Sequence, residues 1–138
     1  MPTRDNHSTQ VVKRALVATA ISSDTVTNGD IIDTADFDMG IKFAFDVSAF
    51  TDGVFAISYE DGDDSGLSDA AAVDSEKIIG DALSLTAATG AADDHPGNGL
   101  FSTRRFVRAV VTSTGTTSGA TVGAVAVEAG EYNPSFGL

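Results

Sequence analysis

The sequence predicts an all-β protein, folded as a two-sheet antiparallel sandwich of about seven or eight short strands. Three observations favour this fold class: apolar and polar residues alternate in several segments, turn-forming residues separate those segments, and small residues and threonine are abundant. The 138 residues are enough for one domain with a single core. The pattern alone leaves both an immunoglobulin-like and a jelly-roll arrangement of the strands open.

The segment 104–128 gives the clearest prediction of secondary structure in the sequence. In its first half the apolar residues occupy every second position: Val107, Ala109 and Val111. A polar, glycine-containing stretch, 112–119, follows, and the apolar residues then resume: Val122, Val125 and Val127. Period-two alternation is typical of a half-buried strand, and the stretch between the two runs is typical of a chain reversal. We therefore predict a β-hairpin here.

A second hairpin is predicted between residues 41 and 59. Its first strand has apolar side chains at alternate positions: Ile41, Phe43, Phe45 and Val47. Its second strand repeats the pattern: Phe55, Ile57 and Tyr59. Asp52-Gly53 lies between the two runs, and an Asp-Gly pair in that place is a strong hairpin signal, because the favoured turn needs positive φ at both central residues. The apolar flank of each strand is predicted to face the core.

Residues 11–129 are predicted to form the single sandwich domain. A flexible N-terminal arm, residues 1–10, precedes it, and an extended C-terminal tail, residues 130–138, follows it. Within the domain, residues 11–21 favour a strand over a helix, although the spacing of their apolar residues fits both. Residues 87–99 contain three glycines and a proline and predict a long flexible loop.

The composition excludes several classes of function. Cysteine is absent, so neither a disulfide framework nor a thiolate metal site nor a cysteine nucleophile can form. Twenty acidic residues against eight basic ones give a net charge of -12, which opposes binding to nucleic acid or to an anionic membrane surface. We therefore expect neither of these as a partner, and the sequence contains no apolar run of the length that a membrane-spanning helix needs.

The acidic loop at residues 61–66 imitates the start of a calcium-binding loop, with oxygen-bearing side chains at the first, third and fifth places and glycine at the sixth. The twelfth place, where an EF-hand has a glutamate, is Ala72, and the flanking segments are predicted strands. An EF-hand is therefore excluded. A weaker calcium site made by Asp61, Asp63 and Asp69 stays open beside the simpler interpretation, a solvated loop.

Other metal and catalytic signals are weak. Asp93-Asp94-His95 brings two carboxylates to one histidine, whereas transition-metal sites normally combine three or four donors. None of the catalytic motifs built around a nucleophilic serine, a zinc-binding histidine pair or a phosphate-binding glycine loop is present. The sequence therefore predicts no catalytic residue, no metal, no cofactor and no enzymatic activity.

Partner-binding residues are predicted in two places. Arg104, Phe106 and Arg108 occupy one face of the predicted strand, and arginine and aromatic side chains are enriched at protein interfaces. The alternative is a solvated face on which the arginine stems cover the ring. Tyr132 and Phe136 lie in the predicted tail, and exposed aromatic side chains on a terminal segment are also candidates for a contact.

Several segments, in this order and spacing, resemble a family of small structural proteins, the capsid cement (decoration) proteins of tailed bacteriophages. They are Ile32-Asp33-Thr34, Thr51-Asp52-Gly53, the acidic loop 60–66, and the segment 105–120. The resemblance covers about residues 31–129. It implies a jelly-roll-like sandwich that binds the outer surface of a viral capsid. The sequence departs from the family at residues 87–103, where a longer acidic loop replaces an expected short strand.

We therefore predict a structural cement protein of a virion, located on the outer surface of the capsid. Its partners would be the major capsid protein and further copies of itself, with a dimer as the expected homo-oligomer. Two alternatives stay open: a carbohydrate- or calcium-binding β-sandwich module, and a structural protein of the phage tail or of head completion.

Overall fold

The computed structural model describes residues 11–37, 40–86, 96–101 and 104–128. These residues form eleven strands: β1 (Val12–Ile21), β2 (Val26–Asn28), β3 (Ile32–Asp33), β4 (Ile41–Ser48), β5 (Val54–Gly62), β6 (Ala71–Ala72), β7 (Ile78–Ile79), β8 (Ser84–Leu85), β9 (Gly97–Leu100), β10 (Phe106–Thr114) and β11 (Ala120–Glu128). Two 3₁₀ turns, Thr34–Asp36 and Ser75–Lys77, connect some of them. Within these ranges, no helix has the length and apolar character required to cross a bilayer.

The strands form two antiparallel sheets that pack face to face. The order in sheet A is β1-β11-β4-β9-β7, and the order in sheet B is β2-β10-β5-β6, with β3 paired to β10 and β8 paired to β5. This confirms the predicted all-β sandwich. The number of strands is higher than predicted, because four of the eleven are two-residue pairings at the margins of the sheets, β3, β6, β7 and β8.

The strand order is that of a jelly roll. When β3, β7 and β8 are set aside, the eight remaining strands, renumbered along the chain, run 1-8-3-6 in sheet A and 2-7-4-5 in sheet B. Consecutive strands of this set therefore lie in opposite sheets, with the single exception of β5 and β6. This arrangement forces most connections to cross from one layer to the other.

Both predicted hairpins are wrong for this reason. β4 pairs with β11 and β9 in sheet A, whereas β5 pairs with β10 in sheet B. Likewise β10 and β11, predicted to pair with each other, lie in different sheets. Between β4 and β5 the ring of Phe50 is half-buried against the core and contacts Phe55 edge-on, with 6.1 Å between ring centroids. Phe50 thus packs the connection between β4 and β5 against the core.

The predicted core faces of three strands are confirmed. The largest fully buried side chains include Phe43, Phe45, Phe55, Val107 and Val111. In β11 the valines noted in the sequence do not share one face: Val122 is buried, whereas Val125 is 42% exposed. The buried positions there are mostly alanines: Ala120, Val122, Ala124 and Ala126. Alanine is only weakly hydrophobic, so the buried face of β11 gives a weaker signal in the sequence than the larger valines on its outer face.

The predicted loop 87–99 ends earlier than expected, because β9 begins at Gly97 and pairs with β4 and β7. Asn98 explains why polar residues form a strand here: it is 3% exposed and accepts a hydrogen bond of 2.9 Å from the hydroxyl of Tyr59. Its amide nitrogen donates to the carbonyl oxygens of Ile79 and Asp81. The expected replacement of a short strand by a loop is thus wrong for residues 97–100.

Candidate partner-binding surfaces

The first candidate surface lies where β10 begins. We call it the arginine cluster; its members are Arg104, Arg105, Arg108, Asp33, Glu60, Asp63 and Asp69. The basic residues are close together in sequence, whereas the carboxylates come from β3, from β5 and from the loop after β5. The fold therefore places each of the three arginines beside at least one carboxylate.

Arg108 is paired across the strands of sheet B. It stands directly opposite Glu60 of β5 in the antiparallel register. Its Nε and Nη2 atoms both donate to Glu60 Oε1, at 2.8 and 2.7 Å. Only 19% of the Arg108 side chain is exposed, so the guanidinium group lies along the sheet instead of projecting into solvent.

Arg104 precedes β10 and turns toward the acidic loop. Its Nη2 atom donates to Asp69 Oδ2 at 2.8 Å and to Asp63 Oδ2 at 3.3 Å. The Asp69 carboxylate also accepts hydrogen bonds from the backbone N–H groups of Asp63 and Asp64. The Asp63 N–H bond and, less strongly, the charge of Arg104 hold the pKa of Asp69 below its ordinary value.

Arg105, which lies outside the predicted stripe, makes the contact with the aromatic ring. Its guanidinium carbon lies 5.2 Å from the centroid of the Phe106 ring, within the range of a cation–π interaction. The same group donates to both carboxylate oxygens of Asp33, at 2.9 to 3.3 Å. This hydrogen bonding, followed by the Ala35 N–H bond, lowers the pKa of Asp33.

The predicted stripe of Arg104, Phe106 and Arg108 is therefore a set of intramolecular ion pairs rather than an open basic surface. Three guanidinium groups face four carboxylates. A partner that contacts these arginines has to bind beside the ion pairs or replace them. The other two predicted contact residues, Tyr132 and Phe136, lie outside the described residues, and so does the Asp93-Asp94-His95 sequence.

Carboxylates in and beside the possible calcium site already accept hydrogen bonds from groups of the protein itself. Two backbone N–H groups and Arg104 donate to Asp69, and the N–H groups of Gly66 and Ser68 donate to Asp64 Oδ2. These bonds, with that from Ser68 the largest cause, lower the pKa of Asp64. Across residues 11–37, 40–86, 96–101 and 104–128, no three histidine or carboxylate side chains are placed so that they could hold a metal ion.

Three loops meet at the opposite end of the sandwich, which we call the arch end: residues 22–25, 49–53 and 115–119. The Asp52 carboxylate accepts from the backbone N–H groups of Thr117, Ser118 and Gly119 and from the Thr117 hydroxyl. The hydroxyl bond and then the N–H bonds hold its pKa well below the ordinary value. Asp24 accepts from the Thr116 N–H at 2.7 Å.

The second candidate surface, which the sequence did not predict, is the outer face of sheet A. A groove of about 500 Å³ runs over the middle of β11, between β1 and β4. Its lining includes Ala18, Ala44 and Gly123, with Val17 and Val125 beside them. A signal was present, because valines alternate with buried residues in β11, but two irregularities in the pairing of β1 obscure the period there.

Comparison of this chain with protein-family models, with curated protein sequences and with solved structures gave no match. The fold and the two surfaces therefore define a class instead of a family. The protein is an acidic jelly-roll sandwich whose clustered arginines are paired within the chain and whose sheet A carries an apolar groove on its outer face.

Proposed function

We propose that this protein is a structural capsid cement protein, which binds the outer surface of a viral shell and stabilises contacts between major capsid subunits. The observation that carries the proposal is the strand order. A jelly roll recurs in virion structural proteins and in lectin domains, and it is the fold that the resemblance to phage cement proteins implies. A fold alone does not determine function, so the surfaces must supply the rest of the argument.

The two candidate surfaces suit docking to proteins. The arginine cluster offers paired charges around Phe106, and the outer face of sheet A offers an open apolar area. An acidic protein with a net charge of -12 is repelled by packaged nucleic acid and suits the outside of a shell. Many copies on one shell then add modest contacts through multivalency, without catalysis or a cofactor.

A carbohydrate-binding module is the second candidate, and the groove favours it. Its volume of about 500 Å³ lies within the range of small-molecule sites. The calcium-binding alternative has less support, because two of its three predicted ligands already accept hydrogen bonds: Asp69 from the Asp63 N–H group and from Arg104, and Asp63 from Arg104. A tail or head-completion protein shares the structural role and differs in its location on the particle.

The deciding experiment is the addition of the purified protein to shells of its own virus from which this protein has been removed. We expect saturable binding, measured as copies per major capsid subunit, and a higher temperature of shell disruption. A glycan panel studied by calorimetry should give no saturable heat. Absence of binding to shells, or saturable glycan binding, would overturn the proposal.

The predicted contact residues are tested in the same assay. Changing both Arg104→Gln and Arg108→Gln removes two of the three guanidinium groups of the arginine cluster, and we expect occupancy at limiting protein to fall by about tenfold. Lys13→Gln, on the other sheet, is the matched control for loss of an ion-paired basic side chain. Equal occupancy of the double variant and the wild type would remove the arginine cluster from the interface.

A further inference from the structure

The outer face of sheet A has three features of an interface. First, it exposes large aliphatic side chains on neighbouring strands. Val12 and Val17 of β1, Val125 of β11 and Ile79 of β7 are between 42% and 59% exposed. Register places Val12, Val125 and Ile79 on the outward side of the sheet, opposite or beside other outward residues. Exposed apolar area grouped on one face is typical of a contact with another protein.

Second, the middle of this face is a depression with a floor of small residues. Gly123 lies at its centre, and a side chain added there would approach Ala18 at 3.4 Å, so glycine keeps the groove open without being forced by the backbone. Ala44 of β4 and Ala18 of β1 form the two sides. A floor of this kind accepts protruding side chains from a facing surface.

Third, opposite charges stand at diagonal corners of the groove. Asp46 of β4 lies beside Gly123 in the register, whereas Arg14 of β1 lies beside Val125, two residues further along β11. Arg14 also donates through Nε to Asp30 at 2.6 Å, and 63% of its side chain is exposed. The groove therefore has a carboxylate at one corner and an arginine, ion-paired with Asp30, at the other, with apolar residues between them.

We infer that the outer face of sheet A binds a second copy of this chain about a two-fold axis, with Arg14 of each copy against Asp46 of the other. In an isologous contact, residue i of one copy meets residue j of the other and the reverse also holds, so a surface with a carboxylate at one corner and an arginine at the other brings the two groups together twice. The inference rests on the homo-oligomer that the proposed function includes, and it names the surface.

The features of β1, the edge strand of sheet A, favour a contact through the outer face of the sheet. They disfavour the pairing of a further strand with this edge. The β1–β11 register shifts between Arg14 and Leu16 and again between Leu16 and Thr19, as bulges in β1 produce. Bulges and charged side chains on an edge strand oppose pairing with another edge. Lys13 and Arg14 supply such charges here. A second copy can therefore bind the outer face of sheet A more readily than the edge formed by β1.

The area of the outer face of sheet A determines how strong a dimer can be expected. Five strands about 4.8 Å apart, with the longest about 30 Å long, give a face of roughly 600 Å² per copy. This lies near the lower end for specific protein interfaces, which bury about 800 Å² per partner. We therefore expect a dimer that dissociates on dilution.

Charge exchange tests the inference. Arg14→Glu and Asp46→Arg each place like charges together at both corners, so each variant alone should dimerise at least about tenfold more weakly in sedimentation equilibrium. A mixture of the two variants forms a heterodimer in which both corners are again complementary, and it should recover the wild-type association. Failure of the mixture to recover, or a wild type that stays monomeric at high concentration, would overturn the inference.

Matched controls separate a surface effect from a folding effect. Lys13→Glu makes the same change of charge and breaks an ion pair with Asp36, but its register partner is the buried Ala126, so it points away from the groove. Val125→Glu should abolish dimerisation, whereas Val54→Glu, at a similar 40% exposure on sheet B, should leave it intact. Shell binding is measured separately, so a dimer defect with intact binding, or the reverse, shows which proposal fails.

Discussion

The two ends of the sandwich use carboxylates in different ways. At the arch end, Asp52 and Asp24 bind backbone N–H groups of the loop 115–119, and no arginine takes part in the hydrogen bonds described there. At the arginine cluster, Asp33 and Asp69 each bind a guanidinium group as well as a backbone N–H. The arch end is thus held by neutral donors, and the other end by charged ones.

This difference shows how clustered acidic residues should be interpreted in this chain. Several aspartates lie near one another in loops, as they would in a metal site, but the hydrogen bonds show that they cap loop backbones. The arch end joins β4 to β5 and β10 to β11 across the layers, so its hydrogen bonds maintain the topology. Apart from the partly buried Arg108–Glu60 pair, the ion pairs of the arginine cluster are more exposed and have less effect on stability.

The largest effect is expected at Asp52. Asp52→Ala removes the acceptor of three backbone N–H groups and one hydroxyl, so we expect Tm to fall by about 4–8 °C, as for the loss of a strong helix cap. Differential scanning calorimetry measures this change. Asp52→Asn, which keeps one carbonyl acceptor, should fall between the variant and the wild type.

Asp74→Ala is the control for Asp52→Ala. Asp74 also stands before a turn, but its side chain makes no capping hydrogen bond. Its replacement should change Tm by about 1 °C or less. Equal changes at positions 52 and 74 would show that the arch end does not depend on the carboxylate.

The long strands β4, β5 and β10 and their buried faces could be predicted from the sequence, because alternation is a local property. Ile41 to Val47 and Phe55 to Tyr59 face the core as predicted. Which strands pair could not be predicted in the same way. Gly53 has the positive φ of 98° that its Asp-Gly sequence suggested, yet such a turn serves a crossing between sheets as well as a hairpin. The choice depends on distant contacts such as that of Gly119 with Ile21.

The candidate surfaces were predictable only in part. Three arginines within five positions drew attention to the start of β10, and their grouping is visible in the sequence. Their partners are not: Asp33 is 72 positions from Arg105, and Glu60 is 48 positions from Arg108. The groove on sheet A was missed because the irregular register of β1 breaks the period on which the prediction depended.

A second prediction concerns the pH dependence of the stabilisation by Asp52 at the arch end. The pKa of Asp52 is lowered in the folded protein from an ordinary value of 3.8, so its ionised form stabilises the fold above that pH. This contribution is lost as the pH falls through 3.8 toward the lowered value. The difference in Tm between the wild type and Asp52→Asn should therefore be constant between about pH 5 and 7 and shrink below about pH 4. A constant difference down to pH 2 would contradict this assignment.

The smallest effect is expected from salt, and it separates charged donors from neutral ones. Arg104→Gln removes ion pairs with Asp63 and Asp69, in which the arginine side chain is 32% exposed, so Tm should fall by only about 1–3 °C at low ionic strength. Salt screens exposed charges, with a Debye length of about 10 Å at 0.1 M and about 3 Å at 1 M. The fall should therefore become smaller at high salt.

The change caused by Asp52→Ala provides the comparison within the same titration. Its lost bonds have uncharged donors, so its fall in Tm should be nearly independent of salt. Parallel salt dependence in the two variants would mean that the arginine cluster and the arch end are held by the same kind of interaction. A fall in Tm that shrinks with salt in Arg104→Gln alone would instead show that the two ends are held by different interactions, with the ion pairs of Arg104 contributing little at high salt.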